Sequence, residues 1–560
     1  MRILIFHGYL LRGTGSNVYN AELARALTAA GHEVHMLCQD RAPADIDFVT
    51  AIGGWDSGQL SVQQLEKTIP EGHGECTVYR PPIADLLPVY VADHYDGFIA
   101  KTFEQLTDEE LDFYVARNVM AVQDVAARVE LDGAFANHMV MGPLILARAL
   151  GDSVSYAAKI HGSAMEYTVR PNRRFLPAAI EGVGGAQSML VGSRHIAERA
   201  WQTLEIDGIR DRTFLAPPGV DLARFKPALR STARDGLTEL EERLQTMPRS
   251  GYGTAAQLAT ESLFERLRAA ARTEGMMGYD DVASEILALH ETYETAGMDV
   301  TAPDSARWLG QAGEDPVALY VGKLIVSKGV DLLITAWPLV RQRHPGAKLA
   351  IVGFGAYREG LEMLVSALSQ GDLTTARWIA SGGRAFEGGP VDRLAHVLAF
   401  LDALEDDALD AYVASAIDMS DSIRWFGRLD HEELASVIPA VNCQVIPSTF
   451  PEAFGMVAAE AAACGVPPIS ANHSGLAEVT EQLEENLSGA SGALLSFDVN
   501  DHAVDRMASR ISGVFGLGLD ERRELAARLV ATAAQRFSWA SVATDVVNAA
   551  SGRSEGLRRP

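Results

Sequence analysis

The chain is poor in several things at once. No apolar run approaches the roughly 20 residues that a membrane-spanning helix needs, and the first residues hold a single arginine followed by a short apolar strand ending at His7-Gly8, with no signal-peptide pattern. Cysteine is scarce. Cys38, Cys76, Cys443 and Cys464 form no C-x-x-C pair, and His35 and His73, which stand shortly before the first two, complete no ligand set. A disulfide framework and a structural zinc site are therefore not expected, and the four thiols read as small core residues in a reducing compartment. Positive charge is in deficit: 48 Lys+Arg against 74 Asp+Glu leave a net charge of −26, which repels duplex nucleic acid and anionic bilayers. A cytoplasmic protein that binds no nucleic acid is the expectation.

What is present is ordinary globular material. With 48% hydrophobic and 22% charged residues the chain has enough apolar surface to fold throughout, and 560 residues are too many for one core. Residues 1 to 40 alternate as strand, glycine loop, helix and strand, a βαβ unit. Short buried strands are expected at 133–136, 155–160, 188–191 and 213–216, with helices between them. The pattern predicts a parallel sheet covered on both faces. Turn formers at Ala216-Pro217-Pro218-Gly219-Val220 mark a boundary. A second alternation starts at Val317 and continues through strands at 348–353, 423–427, 443–447 and 467–470.

The expected fold class is therefore α/β, with two Rossmann-like lobes facing across a cleft and helical insertions. Its parts are a first lobe over 1–220, an insertion over 228–315, a second lobe over 316–535 with its own insertion at 359–421, and a final helix and tail over 536–560 that cross back. The insertions read as a lid, an oligomer contact or simple packing.

The richest segment runs from Ser448 to Pro467. Glu452 and Glu460 lie eight positions apart around a helix start near Phe454 and Gly455. The first amides of such a helix, with its macrodipole, form a receptor for a phosphate or diphosphate. Carboxylates are acceptors only and grip hydroxyl groups, so this segment suits the phosphates, ribose and sugar of a nucleotide-sugar. A second strand end carries Lys323 and Lys328, flanked by Gly322 and Gly329. Two ammonium groups there would neutralise a leaving diphosphate; taken alone, such a pair is a solvated loop. Arg170, Arg173 and Arg174 read either as an anion patch or as a solvated loop. Asp45-Ile46-Asp47 matches the short D-x-D pattern but follows the second strand of the first lobe, so no metal is expected. A dinucleotide loop is also excluded, because Gly13-x-Gly15 lacks the third glycine.

These motifs together resemble the retaining GT-B glycosyltransferases of family 4. The resemblance rests on Val321 to Gly329, Gly353-Phe354-Gly355, Phe426-Gly427 and the E-x7-E within Pro447 to Gly465. In the first lobe it rests on Gly13 to Val18, Ile160-His161-Gly162-Ser163 and Pro218-Gly219-Val220-Asp221, and near the end on Phe537-Ser538-Trp539. It implies a nucleotide-diphosphate sugar donor, an acceptor that is a small molecule, a glycan or a lipid-linked group, and no cofactor. It further implies that Lys323 and Lys328 bind the diphosphate, Glu460 the ribose and Glu452 the donor sugar. The backbone of Ala453, Phe454, Gly455, Met456 and Val457 would meet the phosphates, Gly15 and Ser16 would line the cleft, and His161 would lie by the transferred sugar. A histidine after a strand is otherwise a structural residue. Lys323 departs from the arginine common there, exchanging a bidentate fork for a point charge. Rival readings are a phosphorolytic or sugar-nucleotide-isomerising enzyme on the same architecture and a non-catalytic binding module.

Overall fold

The computed structural model describes residues 1–12, 15–90, 97–228, 230–273, 277–485, 487 and 489–560. The sequence expectations at Gly13 and Thr14 lie outside the described residues. The chain falls into two compact units, Met1–Gly219 with Phe537–Pro560, and Val220–Arg536. Among the described residues no helix is long and apolar enough to cross a membrane.

The first unit is built on β1 (Arg2–Phe6), β2 (Glu33–Leu37), β3 (Ala51–Asp56), β4 (Gln59–Gln64), β5 (Cys76–Tyr79), β6 (Leu86–Val89), β7 (Ile99–Thr102), β8 (Gly133–Asn137), β9 (Tyr156–Ile160), β10 (Ser188–Val191) and β11 (Thr213–Leu215). Nine of these form one sheet in the order β11-β10-β9-β8-β1-β2-β5-β3-β4, and β6 pairs with β7 apart from it. The sheet is parallel except at β3–β4, which pair antiparallel from Ala51↔Gln64 to Asp56↔Gln59. Its central strands are buried on both faces, which is why they read as continuous apolar runs. The final helix, Trp539–Ala550, packs on the helix Gly15–Ala29, with Tyr19 and Trp539 edge to face at 5.4 Å.

The hairpin was not expected from the sequence. Ala51-Ile-Gly-Gly-Trp carries two glycines and Gln59 to Gln64 is mostly polar, so neither strand has the apolar signature. Its turn is legible afterwards: Ser57 (φ 49°) and Gly58 (φ 81°) give the two left-handed residues of a tight hairpin.

The second unit holds β12 (Val317–Val321), β13 (Lys348–Val352), β14 (Ile423–Gly427), β15 (Cys443–Ile446), β16 (Pro468–Ala471) and β17 (Ser496–Phe497). Their order is β14-β13-β12-β15-β16-β17 and every pairing is parallel. From β12 the connections run one way to β13 and the other way to β15. In open α/β sheets a ligand crevice opens at such a reversal, outside the carboxyl ends of the strands. Helices Arg230–Thr246, Thr254–Thr273, Tyr279–His290 and Ala302–Gly310 precede β12, and Arg358–Ser369, Leu373–Gly382, Ala395–Asp402 and Asp406–Ala416 lie between β13 and β14. They are joined to the sheet by a buried network: Arg358 pairs with Asp299 at 3.0 Å and lies 4.0 Å above the Trp425 ring, and Glu359 accepts from Tyr293 at 2.6 Å.

All four cysteines are free and buried, and burial pushes the thiols of Cys38 and Cys464 up to about 12. Of the three arginines singled out in the sequence, Arg170 pairs with Glu166 at 3.5 Å. Arg174 pairs with Asp108 and donates to the Leu106 carbonyl at 2.8 Å.

Candidate active site

Three loops at the carboxyl ends of β12, β13 and β15 are pressed together, and backbone glycines make the contact possible. Gly329, at φ 66°, closes the lysine loop so tightly against the β15 exit that a Cβ there would lie 2.0 Å from the Pro447 carbonyl oxygen. The amides of Thr449 and Phe450 donate to the Ser327 carbonyl at 3.0 and 3.3 Å. On the other side a Cβ at Gly353 would stand 2.0 Å from the Gly322 carbonyl, and Leu324 donates to Phe354 O at 2.7 Å. No side chain fits at these approaches, which explains G-x5-K-G around the lysines and G-F-G after β13.

This packing brings Lys328 onto Glu452. The ammonium meets Oε1 of the carboxylate, and the same oxygen accepts from the Ser448 hydroxyl at 2.7 Å. The Glu452 backbone is fixed as well: its amide donates to Ser474 Oγ at 2.8 Å and its carbonyl accepts from the Gly475 amide at 3.0 Å. Ser474 (φ 52°) opens the helix Ser474–Glu484, and His473 Nε2 reaches the Ser448 carbonyl at 2.7 Å. Lys323 differs from Lys328. It is exposed, and among the described residues its ammonium has no protein partner, while its carbonyl accepts from the Tyr320 hydroxyl at 2.8 Å.

The helix start expected near Gly455 is present. Met456–Ala463 is helical with Gly455 (φ 132°) as its N-cap, and no side chain caps it. Among the described residues the amides of Gly455, Met456 and Val457 donate to no protein acceptor, whereas Ala458 and Ala459 already donate to the Gly455 carbonyl. Phe454 is buried and Ala453 half-buried beside the Ser474 helix, where a Cβ at Gly475 would lie 2.6 Å from the Phe454 backbone. Gln444 on β15 donates to the Val457 carbonyl at 3.1 Å and ties the first turn to the sheet. One turn on, Glu460 is buried, and His431 Nε2 stands 3.3 Å from its Oε1.

Sequence reasoning missed four contributors: His431, His473, Ser474 and Glu387. Glu387 comes from the segment between β13 and β14 and accepts the Val326 amide at 2.7 Å, anchoring the loop that carries both lysines. Each lies far in sequence from the residue it touches and belongs to no recurring spacing, so no local signal marks it. Behind this loop Asp331 is buried, with burial raising its carboxyl to about 7.

The remaining predicted residues lie in the first unit. Gly15 and Ser16 open the helix Gly15–Ala29, where a Cβ on Gly15 would meet none of the described residues within 4 Å. His161 follows β9 and donates through Nε2 to Asn137 Oδ1 at 2.6 Å. Asn137 in turn donates to Asn20 Oδ1 at 2.5 Å, and Asn20 to His7 Nδ1 at 3.0 Å. The Tyr19 ring packs edge-on against His161 at 4.9 Å. Burial holds His161 well below the ordinary imidazole value, His7 at about 4 and His138 at about 3. The rings of His138 and His161 lie 5.0 Å apart, and among the described residues neither nitrogen of His138 has a hydrogen-bond partner. Asp45 and Asp47 face Arg12 at 4.0 Å and Arg25, respectively.

Residues 304–375 and 411–513 match the family described as Glycosyl transferases group 1. The chain is 28% identical over 262 residues to a glycogen synthase of Mycobacterium tuberculosis, covering 46% of this chain and 48% of that one. It is 26% identical over 290 residues to a D-inositol 3-phosphate glycosyltransferase of Mycobacterium marinum, covering 50% and 49%. The chain thus spans about half the length of the curated relatives it matches. Among solved structures, sucrose-phosphate synthase from Thermosynechococcus elongatus superposes with a TM-score of 0.50 at 18% identity, over 97% of this chain and 96% of that one. The fold is α/β with parallel sheets and Rossmann-like units, the GT-B fold class expected from the sequence.

Proposed function

We propose that this chain is a retaining hexosyltransferase that moves a sugar from a nucleotide-diphosphate donor to an acceptor hydroxyl, with the donor held by the unit Val220–Arg536. The observation that carries the reading is the contact of Lys328 with Glu452 beside a helix whose first amides have no acceptor among the described residues, at the β12/β15 reversal. A cation, an acceptor-only carboxylate and free amides are what a diphosphate joined to a polyol requires.

In this reading Lys323 and Lys328 take the diphosphate together with the backbone from Ala453 to Val457. Glu460 accepts from the ribose hydroxyls and Glu452 from the donor sugar. Without a donor, Lys328 and Glu452 satisfy each other; with one, the ammonium is shared with phosphate oxygens. The bond from the anomeric carbon to the leaving phosphate oxygen breaks while the acceptor oxygen joins the same face, and the acceptor's proton passes to the departing phosphate. Lysines and helix amides stabilise the charge that develops there, so no metal or cofactor is invoked. On the family resemblance His161 is assigned a place by the transferred sugar, and Gly15 and Ser16 line the cleft near phosphate and acceptor. Cytoplasmic residence belongs to the same proposal.

A thermal-shift screen of UDP-, GDP-, ADP- and TDP-sugars identifies the donor, since a ligand that binds only the folded state raises its stability. Product analysis with that donor then tests the reaction. Transfer with retained anomeric configuration supports the proposal; phosphate-dependent cleavage, an epimerised donor or binding without any turnover overturns it.

A further inference from the structure

The carboxylate of Glu460 is buried on the helix Met456–Ala463, and a single side chain reaches it among the described residues: His431, 3.3 Å from Oε1. A carboxylate can only accept, so the imidazole Nε2 carries the proton in this contact. His431 has a side chain that is 46% exposed, and its backbone is fixed by the elements around it. It begins the helix His431–Val437, whose capping box joins Asp430 and Glu433, with the Asp430 amide on Glu433 Oε2 at 2.8 Å. Arg243, from the helix Arg230–Thr246, clamps Glu433 and bonds Glu432 at 2.8 Å. The Phe225 ring packs edge-on against the imidazole at 5.9 Å. The charged groups around the ring are Glu460, Arg224 and Asp430.

We propose that His431 is a positioning residue for the donor ribose: by holding Oε1 of Glu460 it fixes the carboxylate plane and leaves Oε2 to accept the ribose hydroxyls. This inference rests on the reading that Glu460 takes the ribose. A carboxyl group at the end of a flexible side chain has a broad terminal torsion. One donor on one oxygen selects a single orientation before the nucleotide arrives, and such preorganisation contributes to affinity without any contact between His431 and the ligand. The contact with the Glu460 carboxylate holds His431 above the ordinary imidazole value.

The test uses the full chain, with UDP, ADP and GDP and the 2′-deoxy counterpart of each as probes, and reads dissociation constants by calorimetry. The unsubstituted protein is expected to prefer a ribonucleotide over its 2′-deoxy form, and Glu460→Ala to abolish that preference. His431→Ala should shrink the preference about threefold to tenfold, the span of one hydrogen bond, while leaving affinity for the 2′-deoxy nucleotide unchanged. His431→Gln, which retains an N–H donor, should restore most of it. A merely structural histidine would weaken both nucleotides alike, and that result overturns the proposal. So does a full ribose preference in His431→Ala alongside its loss in Glu460→Ala. If Glu460→Ala keeps the preference, or no ribonucleotide binds the unsubstituted protein, the ribose reading itself fails and the inference falls with it.

Discussion

The carboxyl edges of the two parallel sheets are built from opposite chemistry. In the second unit the edge is ionic and partly open, with Lys323 exposed, Lys328 on Glu452 and His431 on Glu460. In the first unit the ends of β1, β8 and β9 carry a cluster of neutral groups. His7, Asn20, Asn137 and His161 form a chain of hydrogen bonds with one direction throughout, and burial keeps its histidines uncharged. That direction fixes tautomers: His161 carries its proton on Nε2 and leaves Nδ1 as an acceptor, while His7 accepts on Nδ1. The same topological position thus carries cations and carboxylates in one unit and uncharged imidazoles and amides in the other. Topology sets where a ligand binds; the side chains at the strand ends set which charge it carries.

The comparison breaks most visibly at the lysines. Lys328→Ala removes the cation and leaves Glu452 unpaired next to a diphosphate, so kcat/KM with the identified donor should fall about 100-fold or more. Lys323→Ala, which removes an exposed point charge, should cost about tenfold. Steady-state kinetics checks both, and a larger loss at Lys323 would invert the assignment of the principal cation. Next in size is a pair of glycine substitutions. Gly329→Ala forces a Cβ at positive φ into the Pro447 carbonyl and should destabilise the second unit by about 2 to 4 kcal/mol. Gly15→Ala, in the first, meets none of the described residues within 4 Å and should change stability by less than about 0.5 kcal/mol. Unit-resolved hydrogen exchange separates the two effects.

Acid should then act on the first unit. His7 is held from 6.5 down to about 4, so the unfolded chain binds a proton more readily than the folded one. The stabilisation is complete above the unfolded value and is lost as pH falls from about 6.5 towards 4, on the order of 3 kcal/mol. The smallest expected effect has the opposite sign. His431 is raised by its bond to Glu460, so its contribution is full below about pH 6.5 and is lost as pH rises through its folded value. The protection factor of the helix His431–Val437, with the intrinsic pH dependence of exchange divided out, should fall from about pH 6 to 9 in the unsubstituted protein and stay level in His431→Gln.

Much of this was legible in the sequence, and the reason is locality. The central strands of both sheets are short, buried on two faces and bounded by glycine and proline, so β1, β8, β12, β13 and β15 announce themselves. The helix start at Gly455 and the two glutamates are likewise local. The hairpin β3–β4 was hidden because it lies at the sheet edge, where polar residues and glycines suffice. The partners of the site were hidden for another reason. Ser474 lies 22 positions from Glu452, Glu387 61 positions from Val326 and Asn137 117 positions from Asn20. Such pairs are made by the fold and leave no periodicity behind.

Glu387 carries one consequence beyond the site. The helices between β13 and β14 look like surplus length, yet one carboxylate from among them grips the Val326 amide, two residues before Lys328. Arg384 secures that carboxylate at 2.8 Å and is itself stitched to Asp392 through its amide at 3.2 Å. A protein engineer who excised the segment to shorten the chain would be cutting the guy rope of the cationic loop, so a minimal version of this chain has to keep that anchor or supply another.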